Sequence, residues 1–232
     1  MLWQTQARPL PVTVRPMGDE TVISYSRRLS EANDLGPTTI LRALGSTSIG
    51  TGRHLLTRDA WLNDHALDRL ETYSGIGRAR LARALPALRS GWPNPKTRPQ
   101  ELDTPFVQIH CTQPAPRAAC HRCNRHRAQH PNPVPALVRP TATRLICLAH
   151  RRWLGSGTAY LRGDDVQHDL SAAPEVITAH RRYRRLIDNS DDPNWTHRTF
   201  LSTWFMVTSN WANLPRRPNP NPLMHPHLNL EP

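Results

Sequence analysis

Cys120-His121-Arg122-Cys123, followed further along the chain by Cys147-Leu148-Ala149-His150, is the stretch on which the reading of this sequence turns. A two-residue spacer lets both side chains of a pair reach one metal ion from a single tight turn, and two such knuckles complete a tetrahedral Cys3His set. All four positions are filled by protein, which leaves no place for water or substrate. The pattern therefore predicts one structural Zn2+ that contributes folding free energy rather than catalysis. The chain has four cysteines, Cys111 being the other, and an even number also admits a disulfide framework. Against that, Met1-Leu2-Trp3-Gln4 carries no apolar signal region, and a chain of 232 residues needs no staples to build a core. A Cys-x2-Cys pair is also a short loop for a mutual disulfide. The expectation is a metal site in a cytoplasmic, nucleoid-associated protein. Cys111 has no close partner and is expected as a packed or free thiol. His121, His126 and His130 lie near the first knuckle as alternative ligands, but His150 is the best spaced.

Charge narrows the class of partner. A net charge of +12 and a pI near 11.0 point to a polyanion, nucleic acid before an anionic membrane surface. No run of 18 apolar residues is present, so no membrane span is expected. Lys96 is the only lysine among 30 basic residues. Arginine forks bidentately onto phosphate and guanine edges, which fits contact with double-stranded DNA. Coding bias in a GC-rich genome would explain the Arg/Lys ratio equally well. It does not explain the net charge.

Working outward from the knuckles, the fold class expected is mainly α with a small zinc-ribbon-like β element. Residues 1–105 read as an N-terminal helical domain with a Pro-rich linker at its end. Within it, Asp19 to Asn33 carries an amphipathic helix whose stripe is Val22, Tyr25, Leu29 and Ala32, with Arg27, Arg28 and Glu31 off the stripe. Asp19 and Glu20 are expected in its first turn, and Gly36-Pro37 ends it. A short helix from Thr38 to Leu44 follows. Ala66 to Thr72, the turn Tyr73-Ser74-Gly75-Ile76 and Gly77 to Leu85 then have the form of a helix-turn-helix. Leu81, Leu85 and Leu88 make the buried stripe of its second helix, which Pro86 should end. Arg78, Arg80 and Arg83 are the residues placed to contact a duplex, and a hairpin that only packs is the alternative.

Residues 106–156 are expected as the zinc unit, with short strands at Ala136-Leu137-Val138 and Arg144-Leu145-Ile146 forming a ribbon-like hairpin. Residues 157–214 read as a C-terminal helical pair. Its first helix is capped by Ser171, with Pro174 and Glu175 in the first turn, and buries Val176, Ala179, Tyr183 and Ile187, flanked by Leu186. Arg181, Arg182, Arg184 and Arg185 form a basic band beside that face, either tracking phosphates or simply solvated. Its second helix carries Phe200, Trp204, Val207 and Trp211 as core. Residues 215–232 are expected as a disordered tail.

Taken together, the opening stretch Pro16-Met17-Gly18-Asp19-Glu20-Thr21-Val22-Ile23-Ser24-Tyr25-Ser26-Arg27-Arg28-Leu29-Ser30-Glu31-Ala32-Asn33, the hairpin Leu67…Leu70…Gly75-Ile76…Leu81 and the two knuckles resemble the TniQ family. That family includes the TnsD-type target selectors of bacterial transposons. The resemblance spans about residues 9 to 155. It departs from the family pattern at Leu148, where Pro is usual, and no second Cys-Pro-x-Cys pair follows His150. It implies a non-enzymatic, DNA-binding accessory protein of transposition, acting in target-site selection or as an adaptor to a transposase or AAA+ ATPase of the same element.

Two other readings remain. One is a transcription regulator that uses the same helix-turn-helix with a structural zinc. The other is an HNH-type nuclease, which would need a His-His or Asp-His catalytic pair followed by Asn and His on a ββα frame binding Mg2+. His126 and His130 sit instead in a proline-bounded loop. The chain carries no Gly-rich phosphate loop, serine triad or paired carboxylate.

Overall fold

The computed structural model describes residues 4–47, 52–89, 103–112, 115–127, 134–139, 145–154 and 167–191, with isolated helical positions at 196, 199, 202 and 203. These residues are mainly helical, with small two-stranded antiparallel sheets. The chain divides into two compact units, Met1–Arg181 and Arg182–Pro232. Most of the linker expected from Gly91 to Pro105, most of the helix from 194 to 213 and the tail from 215 lie outside the described residues.

The first helix, α1 (Val22–Ala32), starts later than its sequence suggests. Thr21 is its N-cap, accepting the Ser24 amide at 3.1 Å, and the Val22 amide donates to the Asp59 carboxylate at 2.7 Å. Those contacts satisfy two of the donors that any helix start leaves open. Asp19 and Glu20 therefore precede the helix instead of occupying its first turn. Asp19 takes a left-handed φ of 63°, and Glu20 turns inward. Val22, Tyr25 and Leu29 are completely buried, as expected, but so are Ser26 and Ser30, and Arg28 is 6% exposed. Helix α1 is a central helix covered on almost every side. At its end Asn33 accepts the Val12 amide and donates to the Val12 carbonyl, both at 2.9 Å, which fixes the extended lead-in.

Helix α2 (Thr39–Ala43) follows, then a 3-10 turn (Gly52–Thr57) and strand β1 (Arg58–Leu62). Strand β1 pairs antiparallel with β2 (Val107–Cys111), Arg58 lying opposite Cys111 and Leu62 opposite Val107. The division expected at 105/106 thus runs between two strands of one sheet. Gly45 makes this return possible. At φ 99° it lies so close to the Pro105 carbonyl that an added Cβ would sit 2.1 Å from its oxygen.

Helices α3 (Asp64–Ser74) and α4 (Arg78–Ala84) fall where the sequence places them, joined through Gly75, which caps α3 in the left-handed conformation at φ 63°. Leu85 is extended ahead of Pro86, as the proline ring requires, and α5 (Pro86–Arg89) forms one more turn. Leu70, Leu81 and Leu85 join Val22, Tyr25, Leu29 and Leu41 in one apolar core. Leu88 packs against it half-buried.

The ribbon hairpin expected in the metal unit does not form as such. Strand β4 (Leu137–Val138) pairs with β3 (Arg117–Ala118), while β5 (Ile146–Cys147) pairs with β6 (Arg152–Trp153). Helix α6 (His121–Arg127) lies between β3 and β4. The physical reason is that the first knuckle sits at a strand-to-helix junction. Its 120–123 turn continues as α6, so β3 takes its partner from the far side of that helix.

Helix α7 (Pro174–Asp188) has Glu175 in its first turn, as expected, but Ser171 is not its cap. The Ser171 amide donates to Asp169 Oδ1 at 2.8 Å in a turn ahead of the helix. The expected buried stripe holds at Ile187 and is shifted by one position in the first turns of the helix. Ile177, His180 and Ile187 are buried, whereas Val176 is 38% and Leu186 63% exposed and Ala179 is exposed. No helix among the described residues is long and apolar enough to cross a membrane.

Candidate metal centre

Strand β3 ends just before Cys120, and the first turn of α6 carries Cys123, so local backbone alone brings the first two thiols to one side. Cys147 closes β5 and His150 lies in the turn before β6, where Arg151 adopts a left-handed φ of 50°. The four donor atoms of Cys120, Cys123, Cys147 and His150 lie within 4.8 Å of one another. Cys123 Sγ is 3.7 Å from Cys147 Sγ. His150 Nδ1 lies 3.5 Å from Cys120 Sγ, 3.2 Å from Cys123 Sγ and 3.6 Å from Cys147 Sγ. All four cysteines are free thiols. The imidazole thus faces all three sulfurs with the same nitrogen, which is the arrangement of ligands around a common centre.

Burial, reinforced by the neighbouring Cys147, pushes the Cys123 thiol up to about 12, and burial also raises Cys147, against the pull of the His150 backbone amide. Crowded thiols resist ionising beside each other. A dication at their centre reverses that preference, because it stabilises each thiolate directly.

The surroundings hold the donors in place. Gln167, 6% exposed, donates to the Ala119 carbonyl at 2.9 Å and accepts the His121 amide at 3.0 Å, bracketing Cys120 from both sides. Asn124 donates to the Val134 carbonyl and accepts the Ala136 amide, tying α6 to β4. A small apolar cluster of Met17, Ala119, Ala136 and Val138 packs against Cys123. Gln167 and Asn124 carry no spacing pattern, so sequence reasoning passes over both.

Of the alternative ligands, His121 and His126 are outside the four-donor group, although the His126 ring lies parallel to that of His150, with centroids 6.0 Å apart. Cys111 is exposed at the end of β2 and also outside it. His130 lies outside the described residues. The candidate DNA-contacting arginines separate into two kinds. Arg80 and Arg83 are exposed on α4, opposite the buried Leu81 and Leu85. Arg78 is drawn back onto α3, 3.2 Å from Asp64 and 2.9 Å from Asp68. On α7, Arg181, Arg182 and Arg185 are exposed and Arg184 is half-buried.

Fold and site together define a mainly helical protein in which Cys120, Cys123, Cys147 and His150 form a group that could hold one metal ion. Comparison with protein-family models, with curated proteins and with solved structures finds no match to this chain.

Proposed function

We propose that this chain is a zinc-stabilised, non-enzymatic DNA-binding accessory protein of transposition, acting in target-site selection or as an adaptor to a transposase or AAA+ ATPase. The zinc assignment rests on distances. With Zn–S of about 2.3 Å and Zn–N of about 2.0–2.1 Å, a regular tetrahedron places two sulfurs about 3.8 Å apart and sulfur and nitrogen about 3.6 Å apart. Here Cys123 Sγ and Cys147 Sγ are 3.7 Å apart, and His150 Nδ1 lies 3.2–3.6 Å from the three sulfurs. A sulfur-rich, four-donor set selects zinc over the hard cations. Bound there, the ion would cross-link β3, α6 and β5 and leave no coordination position for substrate.

The observation that carries the DNA-binding reading is the pair Arg80 and Arg83. Both are exposed on the second helix of a helix-turn-helix arrangement and, among the described residues, pair with no carboxylate. The net charge of +12 supports it. The transposition part rests on the resemblance of residues 9–155 to the TniQ family. Its opening motif is also structural: Glu20, Tyr25, Arg28 and Asn33 each make a buried or half-buried bond around α1. A transcription regulator built on the same two helices is the competing reading.

Binding of a labelled DNA duplex across a salt series tests the central claim. Affinity should fall steeply between about 50 and 200 mM salt, since phosphate contacts release counterions. Replacing Arg80 and Arg83 together with alanine should weaken binding, by about 1–3 kcal/mol for each arginine that reads a guanine. Salt-independent binding, or an unaffected double variant, would overturn the assignment of this helix. A gene position beside a transposase and an AAA+ ATPase is expected. A position beside unrelated metabolic genes favours the regulator.

A further inference from the structure

Three segments far apart in sequence meet around one open, polar hollow of about 730 Å³. The lead-in contributes Thr13 and Arg15, α4 contributes Arg80 and Arg83, and the end of α6 contributes His126 and Arg127. Among the described residues, no acidic side chain lines it. All six of these side chains are exposed. At several places elsewhere the protein answers an arginine with a carboxylate: Arg28 with Glu20, Arg139 with Asp59, Arg78 with Asp64 and Asp68. Around this hollow, among the described residues, it does not. Arg127 is held in place by a neutral group, donating to the Pro16 carbonyl at 3.1 Å, so its charge remains uncompensated.

We propose that Arg15, Arg80, Arg83 and Arg127 form a single cleft for the sugar-phosphate backbone of duplex DNA, with one wall from α4 and the other from the metal unit. The inference deepens the DNA-binding reading above and rests on it. Guanidiniums gathered without counter-charge repel one another, and a phosphate between them removes that repulsion while accepting their forked N–H donors. Thr13 adds a rotatable hydroxyl donor and His126 a ring N–H donor at the rim. The contact is to backbone, so it positions the duplex without reading its sequence. Helix α6 also carries Cys123, which makes the metal unit a structural wall of the binding surface.

The test uses the full-length, zinc-replete protein and fluorescence anisotropy with two labelled DNA duplexes of unrelated sequence, titrated at several salt concentrations. Glutamine replaces Arg15 and Arg127 in one variant and Arg80 and Arg83 in another; glutamine at 127 retains a donor for the Pro16 carbonyl. Thermal melts and zinc content verify that each variant folds. For Arg15→Gln/Arg127→Gln, the slope of log affinity against log salt should shrink by about 2, equally for both duplexes. Over a fourfold rise in salt, that variant should then lose about tenfold less affinity than wild type. If it keeps the wild-type slope while Arg80→Gln/Arg83→Gln loses affinity, the cleft is refuted and the helix-turn-helix reading stands. Failure of the wild-type chain to bind either DNA duplex refutes both. An RNA duplex of matching sequence forms the last arm, and binding of RNA alone would overturn the assignment to DNA.

Discussion

Glu20 and Arg28 form an ion pair of 2.8 Å with side chains 0% and 5% exposed. The carboxylate also accepts the Met17 amide at 2.8 Å and the Ser24 hydroxyl at 3.0 Å, so its lone pairs are satisfied without water. A buried pair of this kind is costly to break from one side, because the survivor keeps its charge in a poor solvent. Glu20→Ala should lower the unfolding free energy by about 3–5 kcal/mol, and Glu20→Leu combined with Arg28→Met should recover much of that loss. Urea denaturation decides it. Equal losses in the single and double variants would show that the charge plays no part. His110 provides a second test at this scale. Its ring stacks on Trp61 at 3.5 Å, and burial together with the nearby Arg139 pushes its pKa down to about 4. The unfolded chain takes up that proton near the ordinary value of about 6.5, the folded chain only near 4. The contribution of neutral His110 is therefore complete above about pH 6.5 and is lost as pH falls towards 4. His110→Phe keeps the stacking and removes the titration. Its stability should decline less than wild type between those pH values, by on the order of 1 kcal/mol because the ring is half-exposed. Parallel pH profiles would contradict this.

At the scale of elements, Asn63 joins what the sequence leaves apart. Its side-chain oxygen caps α3 by accepting the Ala66 amide at 3.0 Å and also accepts the Phe106 amide at 2.9 Å, while its amide group donates to the Thr104 carbonyl at 2.8 Å. One residue thus starts a helix and anchors the segment that becomes β2. Asn63→Ala should cost about 2 kcal/mol or more, beyond an ordinary cap, since two amides lose their acceptor. Hydrogen exchange should speed up at Phe106 together with Ala66. Exchange that changes at Ala66 alone would reduce Asn63 to a cap. The β1–β2 pair is hard to see in sequence for a related reason. Arg58-Asp59-Ala60-Trp61-Leu62 has no polar-apolar alternation, because Asp59 is buried by its bonds to Val22, Ala60 and Arg139. Helix α7 misleads in the same way, since a polar residue, His180, is buried at 7% exposure while Val176 is exposed. The α3–α4 hairpin is legible because glycine, proline and the leucine phase are local signals.

For the whole molecule, the metal unit is bonded into the helical core. The Leu137 amide donates to the Ser24 hydroxyl at 2.7 Å, and Arg139 reaches Asp59 at 2.8 Å. Metal removal should therefore be felt beyond the knuckles. Purified protein should contain about one zinc per chain, lost in Cys123→Ser, and chelation should lower the melting temperature of the α1 core as well as that of the knuckles. Elemental analysis provides one readout, and near-ultraviolet circular dichroism, to which Tyr25 and Trp61 of the core contribute with the other aromatic residues, provides the second. A metal-free protein that melts like the zinc-loaded one would remove the structural role.

The sequence by itself determined the four members of the Cys/His cluster, the α3–α4 hairpin and the outward placing of Arg80 and Arg83. Each depends on spacing within one or two turns of backbone, where covalent geometry leaves little freedom. Only the tertiary structure decided that Glu20 and Asp59 are buried acids, that β2 returns to β1, and that Arg15 and Arg127 stand beside α4. Those outcomes depend on which distant segment supplies a counter-charge or a strand edge, and burial energies settle that choice only when the whole chain has packed.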